Sequence, residues 1–227
     1  ILGGLVSLKL GRKKGLILAA VLFFISAMGS AFPEMFFRPF GEGDHTFYWH
    51  FIIYRIIGGI GVGLASMLSP MYIAEISPAD SRGKLVSFNQ FAIIFGMLVV
   101  YFVNYAIARQ GDESWLNSIG WRWMFASEMI PAGLFFILLF FVPETPRYMV
   151  LKGENQKALR VLEKINGPKI GALVLEDIKL TISSSSGKLF SFGIFIVVIG
   201  ILLSAFQQFV GINVVLYYAP EIFKNMG

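Results

Sequence analysis

Apolar residues along this chain gather into five long runs, at about 15–32, 48–74, 86–108, 121–142 and 189–223, with polar and charged residues collected between them. A helix rises about 1.5 Å per residue, so a hydrocarbon layer of about 30 Å takes roughly 20 mostly apolar residues. Backbone within lipid has to satisfy its own hydrogen bonds, and the runs lack the short two-residue alternation of barrel strands, so they predict helices. The expected fold is an all-α membrane bundle. The last run stands apart: as one helix it would reach about 50 Å, longer than the hydrocarbon is wide. It also carries two adjacent amides, Gln207 and Gln208, near its middle and a third, Asn213, beyond them.

Between the fourth and fifth runs the pattern changes period. Ala158, Leu159, Val161, Leu162 and Ile165 recur at helical spacing against Lys157, Arg160, Glu163 and Lys164, which predicts an amphipathic helix. Leu175, Ile178 and Ile182 point to another, and Ser183-Ser184-Ser185-Ser186-Gly187 reads as a flexible linker. The stretch 143–187 is therefore a boundary between two membrane halves, either a solvated linker or a helical latch touching the ends of both.

Lys and Arg in short connections orient such a bundle, because they stay on the cytoplasmic side. Lys9, Arg12, Lys13 and Lys14 precede the first run, Arg82 and Lys84 follow the second, and Arg147, Lys152, Lys157, Arg160 and Lys164 follow the fourth. The intervening connections carry Glu34, Glu42 and Asp44, then Asp112 and Glu113, and are expected to face outward. Trp49, Trp121 and Trp123 fall near the outer ends of spans, where aromatic belts sit.

Composition narrows the function classes. With 56% hydrophobic and 15% charged residues and a mean hydropathy of +0.70, the 227-residue chain is too apolar for an ordinary soluble domain. It has no cysteine, which excludes disulfides, thiolate metal sites and cysteine nucleophiles, and His45 and His50 alone make no metal site. The net charge of +5 lies between apolar spans rather than on one soluble face, so nucleic acid is not an expected partner. Ile57-Gly58-Gly59-Ile60-Gly61-Val62-Gly63 is not a nucleotide loop, since the required spacing fails and no strand precedes it. Gly59 and Gly63, four apart on an apolar helix, are expected to let a neighbouring helix approach closely.

Charges inside a membrane span are costly and usually face a bundle interior. Arg55 and Glu128 lie six and seven positions inside Trp49 and Trp121, which puts both roughly 10 Å deep on the same side. They are expected to come within reach of each other, as a buried ion pair that fixes packing or as a proton or gating relay. The amides at 207, 208 and 213 bind either a polar substrate or neighbouring helices. At 100° per residue an unbroken helix would set Gln208 and Asn213 about 140° apart, so joint use of them predicts a break near Gly211.

Ile57, Gly59, Ile60, Gly63, Tyr72, Glu75 and Arg82 together reproduce a signature spacing, flanked by Gly3-Gly4, Lys9-Leu10-Gly11-Arg12-Lys13, Pro143-Glu144-Thr145-Pro146-Arg147 and QQFVGINVVLYYAP at 207–220. In these features the chain resembles the sugar transporters of the major facilitator superfamily, and from Arg55 to Glu75 it is most similar to their bacterial proton-coupled xylose branch. The resemblance implies a twelve-helix fold of two six-helix bundles. Residues 1–14 would be the end of the second helix and a cytoplasmic basic loop, 15–142 helices three to six, 143–187 a cytoplasmic helical linker, and 188–227 the seventh helix, opening the second bundle. The chain is thus expected to be a fragment.

By the same resemblance, Gln90, Gln207, Gln208 and Asn213 would contact a monosaccharide, to which Tyr217, by its own chemistry, could add an aromatic wall with a polar tip. The resemblance makes Arg55 a proton-coupling residue, with Glu128 its candidate partner by depth alone, and Glu75, Arg82, Glu144 and Arg147 a cytoplasmic gate that holds the outward-facing state. The implied activity is symport of D-xylose or a related monosaccharide with a proton by alternating access, with no enzyme chemistry and no cofactor. The expected setting is the lipid of a bacterial inner membrane, with the full-length protein working as a monomer. A sugar receptor that does not transport and a facilitative hexose uniporter are the alternatives.

Overall fold

The computed structural model describes residues 2–40, 45–184 and 194–211, together with 214, 218, 221, 222, 225 and 226. Asn213 and Tyr217, and the linker serines 185 and 186, lie outside the described residues. The described residues form helices α1 (Leu2–Lys9), α2 (Arg12–Ala31), α3 (Tyr48–Ile76), α4 (Arg82–Ala108), α5 (Glu113–Trp115), α6 (Trp121–Ser127), α7 (Met129–Phe141), α8 (Pro146–Leu151), α9 (Asn155–Asn166), α10 (Pro168–Ser184) and α11 (Ile194–Phe209). Among the described residues, four stretches are long and apolar enough to cross a membrane: α2, α3, α4 and the continuous run Glu113–Phe141, in which a π-helical turn at Leu116–Gly120 joins α5 to α6.

Two of these stretches start earlier than hydropathy alone predicts, each because a side chain caps the first turn. The fourth begins at Glu113 rather than near 121, since the Asp112 carboxylate accepts the Trp115 N–H at 2.9 Å. The first begins at Arg12 rather than near 15. There the N–H groups of Arg12 and Lys13 donate to the carboxylate of Glu144, at 3.2 and 3.1 Å, so the cap comes from a residue 132 positions along the chain. Near Glu128 the helix loses regularity and passes from α6 to α7. Pro131 accounts for it, since it has no N–H to give the carbonyl four residues back.

The chain divides into units Ile1–Lys179 and Leu180–Gly227. In the first, α2 is the central helix, packed along α3 and against α6 and α7. Its buried face is made of small residues, Gly15, Ala19, Ala20, Ala27, Gly29, Ser30 and Ala31, which let backbones approach where lipid supplies no hydrophobic drive between helices. Leu64 and Leu68 of α3 and Leu139 of α7 close onto that face with Leu16. A methyl group at Gly15 would strike Leu68, and one at Gly29 would overlap the Tyr54 ring.

The expectation for Gly59 and Gly63 is corrected here. Among the described residues nothing lies within 4 Å of where their Cβ atoms would be, and the close approaches are made by Gly58, against Ser26, and Gly61, against Leu22 and Phe23. A helix turns 100° per residue, so one residue's shift moves the small-residue stripe to a different neighbour.

Helix α4 has no buried residue. Its apolar faces are exposed along its length, and Ser69 donates to Asn89 Oδ1 at 2.8 Å where it meets α3. Helix α9 follows its periodicity: Ala158 and Leu162 are buried with Leu175 of α10, and Met149 and Val150 of α8 pack on them. Gly167 ends α9 with φ 80°, a conformation that favours glycine, and Pro168 opens α10 at a position that needs no N–H.

In the second unit, α11 ends at Phe209. Gly211, at φ 70°, closes the turn by donating its N–H to Gln208 O at 3.1 Å. The long fifth run is interrupted where the spacing of its amides predicts.

Candidate functional site

Three polar groupings interrupt the apolar interior of the first unit. The first lines a cavity of about 480 Å³ whose walls include Ser26, Arg55, Gly58, Gly59, Glu128 and Pro131. Arg55 and Glu128 are the charged residues of that lining, and both are exposed to it. They share the cavity without forming an ion pair with each other. The Arg55 guanidinium carbon instead lies 5.2 Å from the centroid of the Phe125 ring. Pro131, which interrupts the helix beside Glu128, lines the same space.

The second grouping is at the end of the bundle that the positive residues assign to the cytoplasm. Arg12 Nη2 meets Glu75 Oε1 at 2.7 Å, with both side chains largely buried. Glu144 accepts the N–H groups of Arg12, Lys13 and Thr145, the last at 2.9 Å. Gly11 makes this approach possible: it adopts φ 93°, and a Cβ there would collide with the Glu144 carboxylate and the Tyr148 ring. The Tyr148 hydroxyl donates to Lys9 O at 2.9 Å, and that of Tyr72 to Pro143 O at 2.7 Å, joining α1, α3 and α8.

Of the four expected gate residues, Glu75 and Glu144 converge around Arg12 and the start of α2. Arg82, exposed at the first residue of α4, and Arg147, half-buried in α8, form no ion pair among the described residues. Arg12 is the organising cation. Its sequence signal is the glycine before it, which marks a backbone position that a remote side chain approaches closely.

The third grouping, at the opposite end, escapes the sequence reading altogether. Glu34, placed by its position in an outward-facing acidic connection, is fully buried and meets Arg122 Nη1 at 2.6 Å. Arg122 also donates to Ala31 O at 3.3 Å and stands over the rings of Trp121 and Phe40. A basic residue at the outer end of a span, against the direction of the other positive charges, is the signal that could have found it.

Gln90 sits exposed on α4 with no hydrogen bond among the described residues. Gln207 and Gln208 are exposed in the last turn of α11, just before the Gly211 turn.

The sequence profile described as "Sugar (and other) transporter" matches residues 1–227. The chain belongs to this sugar transporter family. It is 57% identical over 236 aligned residues to the D-xylose-proton symporter of Escherichia coli strain K12, an alignment that takes in 100% of this chain and 48% of that protein. It is 38% identical to the glucose facilitated diffusion protein of Zymomonas mobilis, over 100% of this chain and 48% of that protein. Its fold matches the solved structure of the major facilitator superfamily proton:xylose symporter XylE bound to 6-bromo-6-deoxy-D-glucose, with a TM-score of 0.91 and 57% identity, covering 100% of this chain and 50% of that one. The chain thus spans about half the length of the relatives it matches. It has the all-helical major facilitator fold and is a multi-pass integral protein of the bacterial inner-membrane type.

Proposed function

We propose that the protein is a secondary sugar transporter, moving D-xylose or a related monosaccharide together with a proton by alternating access. The 57% identity to a D-xylose-proton symporter along the whole chain carries this reading. No covalent step is involved; the work is done by differential binding in two conformations. Gln90, Gln207, Gln208, Asn213 and Tyr217 are the proposed sugar contacts. An amide donates and accepts at once, which suits a neutral sugar hydroxyl and brings no charge into the membrane. A tyrosine adds an apolar face with a polar tip. Arg55 and Glu128, facing one cavity inside the bundle, support a coupling role. Glu75 and Glu144, gathered around Arg12, support a cytoplasmic gate, to which Arg82 and Arg147 contribute in another conformation. Helices 15–142 would belong to the first six-helix bundle, 143–187 to the linker and 188–227 to the second bundle.

The test is transport by the full-length protein carrying this chain, reconstituted in liposomes. An inward proton gradient should drive D-xylose accumulation, and a protonophore should abolish it. Downhill entry indifferent to the gradient would identify a facilitator, and binding without entry a receptor. Gln207→Ala should weaken sugar binding by about 1–3 kcal/mol, because the hydroxyls it contacts lose a buried partner. Unchanged calorimetric binding would place the sugar site elsewhere.

A further inference from the structure

The π-helical turn in the fourth span decides which way two tryptophans point. Trp115 and Trp123 are eight residues apart, which on a regular helix would set them about 80° from each other. The turn at Leu116–Gly120 closes its hydrogen bonds over five residues rather than four, so it takes up one residue more and leaves the two side chains about 20° apart, on one face. Both line a groove of about 470 Å³, with Ile107 at the end of α4 and Gln110 just past it on one side, and Ala126 and Ile130 on the other. The Trp115 wall is held in place. A Cβ at Gly111 or Gly120 would strike its indole, and its backbone N–H is bound by the Asp112 carboxylate at 2.9 Å.

The groove is graded in polarity along its length. At its outer mouth stand Gln110 and, one residue before it, the exposed Arg109, whose guanidinium carbon lies 5.6 Å from the centroid of the Tyr105 ring. The two indoles come next, apolar bodies with a polar N–H, the kind of side chain that sits at the headgroup level. Ile130 lies seven residues below Trp123, about 10 Å deeper, and makes an apolar floor with Ala126 and Ile107.

We propose that this groove is a site for one phospholipid of the outer leaflet, with an acyl chain along Ile107, Ala126 and Ile130 and the phosphate beside Arg109. A phospholipid carries the same order of chemistry over the same depth: an anionic phosphate, then ester carbonyls that accept hydrogen bonds, then hydrocarbon. The esters fall at the level of the indole N–H donors and of Gln110, which uses one amide hydrogen on Ala106 O at 3.4 Å and has a second to give. A sugar would need hydroxyl partners along the floor, where isoleucine and alanine offer none. Bulk lipid is as apolar as the groove, so the chain is drawn in by contact with two spans at once rather than by escape from water. Arg109 supplies the preference for the phosphate.

The experiment uses the full-length protein carrying this chain, delipidated in detergent and titrated with dioleoylphosphatidylglycerol, with bound lipids counted by native mass spectrometry. The parent should take up one lipid ahead of the rest. Arg109→Ala should weaken that first binding about fivefold, the worth of one basic residue at a lipid surface. Ala126→Phe, which fills the floor, should abolish it and leave later lipids binding as before. First binding equal in the parent and both variants would overturn the site. In liposomes whose acyl chains carry bromine, the emission of Trp115 and Trp123, obtained by difference from a Trp115→Phe, Trp123→Phe double variant, should be quenched. Unquenched emission would mean that the second bundle covers the groove, and that too would overturn the proposal. If Ala126→Phe does not fold, Arg109→Ala, at an exposed position, decides the matter with the quenching result.

Discussion

The two ends of the first unit each hold an arginine against a glutamate, yet the surroundings of the two pairs differ. At the outer end Glu34 has 0% of its side chain exposed and Arg122 4%, and aromatic rings cover the guanidinium. At the inner end Arg12 and Glu75 are 7% and 13% exposed, and the neighbouring carboxylate of Glu144 is bound by backbone N–H groups of α2 and α8 rather than by a cation. Separating the outer pair would take the guanidinium from a fully buried carboxylate, while the inner pair keeps slightly more contact with solvent. An ion pair's surroundings, more than its length, set what separating it costs. The 2.6 Å and 2.7 Å separations are nearly the same.

The sharpest way to break this contrast is Arg122→Leu in the full-length protein. It takes the Arg122 cation from the buried Glu34 carboxylate, so the expected loss of stability is about 3–5 kcal/mol, seen as a large fall in thermal midpoint in detergent. Replacing both partners by apolar residues of similar size should recover most of that loss, because the cost lies in the stranded charge. A small effect of Arg122→Leu alone would mean that water reaches the outer site, and the outer pair would then be no different from the inner one.

Next in size is Arg12→Leu. Removing the cation from Glu75 should cost about 1–3 kcal/mol, since this pair is less buried. Because the contacts of Arg12 are proposed to hold one conformation only, the greater part should appear as a shift in population. Spin labels on the cytoplasmic end of α3 and on the second bundle of the full-length protein would report it as a changed distance distribution. An unchanged distribution with lowered stability would make the inner cluster a fixed support like the outer pair.

These two clusters also mark where the sequence stops being legible. The amphipathic period of α9, the membrane-length runs and the break at Gly211 were readable because each depends on residues within a few turns of one another. Glu34 looked like part of a solvent-facing acidic connection because its partner stands 88 positions away and nothing in local periodicity joins them. The early start of α2 was hidden for the same reason, its cap being a carboxylate that folds back from Glu144. Arg55 and Glu128 were expected in one region on depth alone, and they do share a cavity, but depth along a helix says nothing of azimuth. The ring that receives Arg55 was invisible among 23 phenylalanines. The small-residue stripe on α3 was placed one or two residues off for want of the same information.

The smallest expected effect closes the comparison from the solvent side. Lys157 and Glu154 form an ion pair at 3.1 Å in the cytoplasmic helices, with 66% and 46% of their side chains exposed. The chemistry of attraction is the same as at the two ends of the bundle, but both charges stay hydrated, and the gain is offset by ordering two long side chains. Lys157→Ala should therefore change stability by no more than about 0.5 kcal/mol, and what effect there is should vanish as added salt shortens the screening length. Measured beside Arg122→Leu and Arg12→Leu across the same salt series, the three substitutions should rank by burial, with salt acting most on the pair at 154 and 157 and least on the outer one. A salt response of Arg122→Leu equal to that of Lys157→Ala would show that the outer charges are hydrated after all. The distinction between the two ends would then rest on Glu144 and its backbone donors alone.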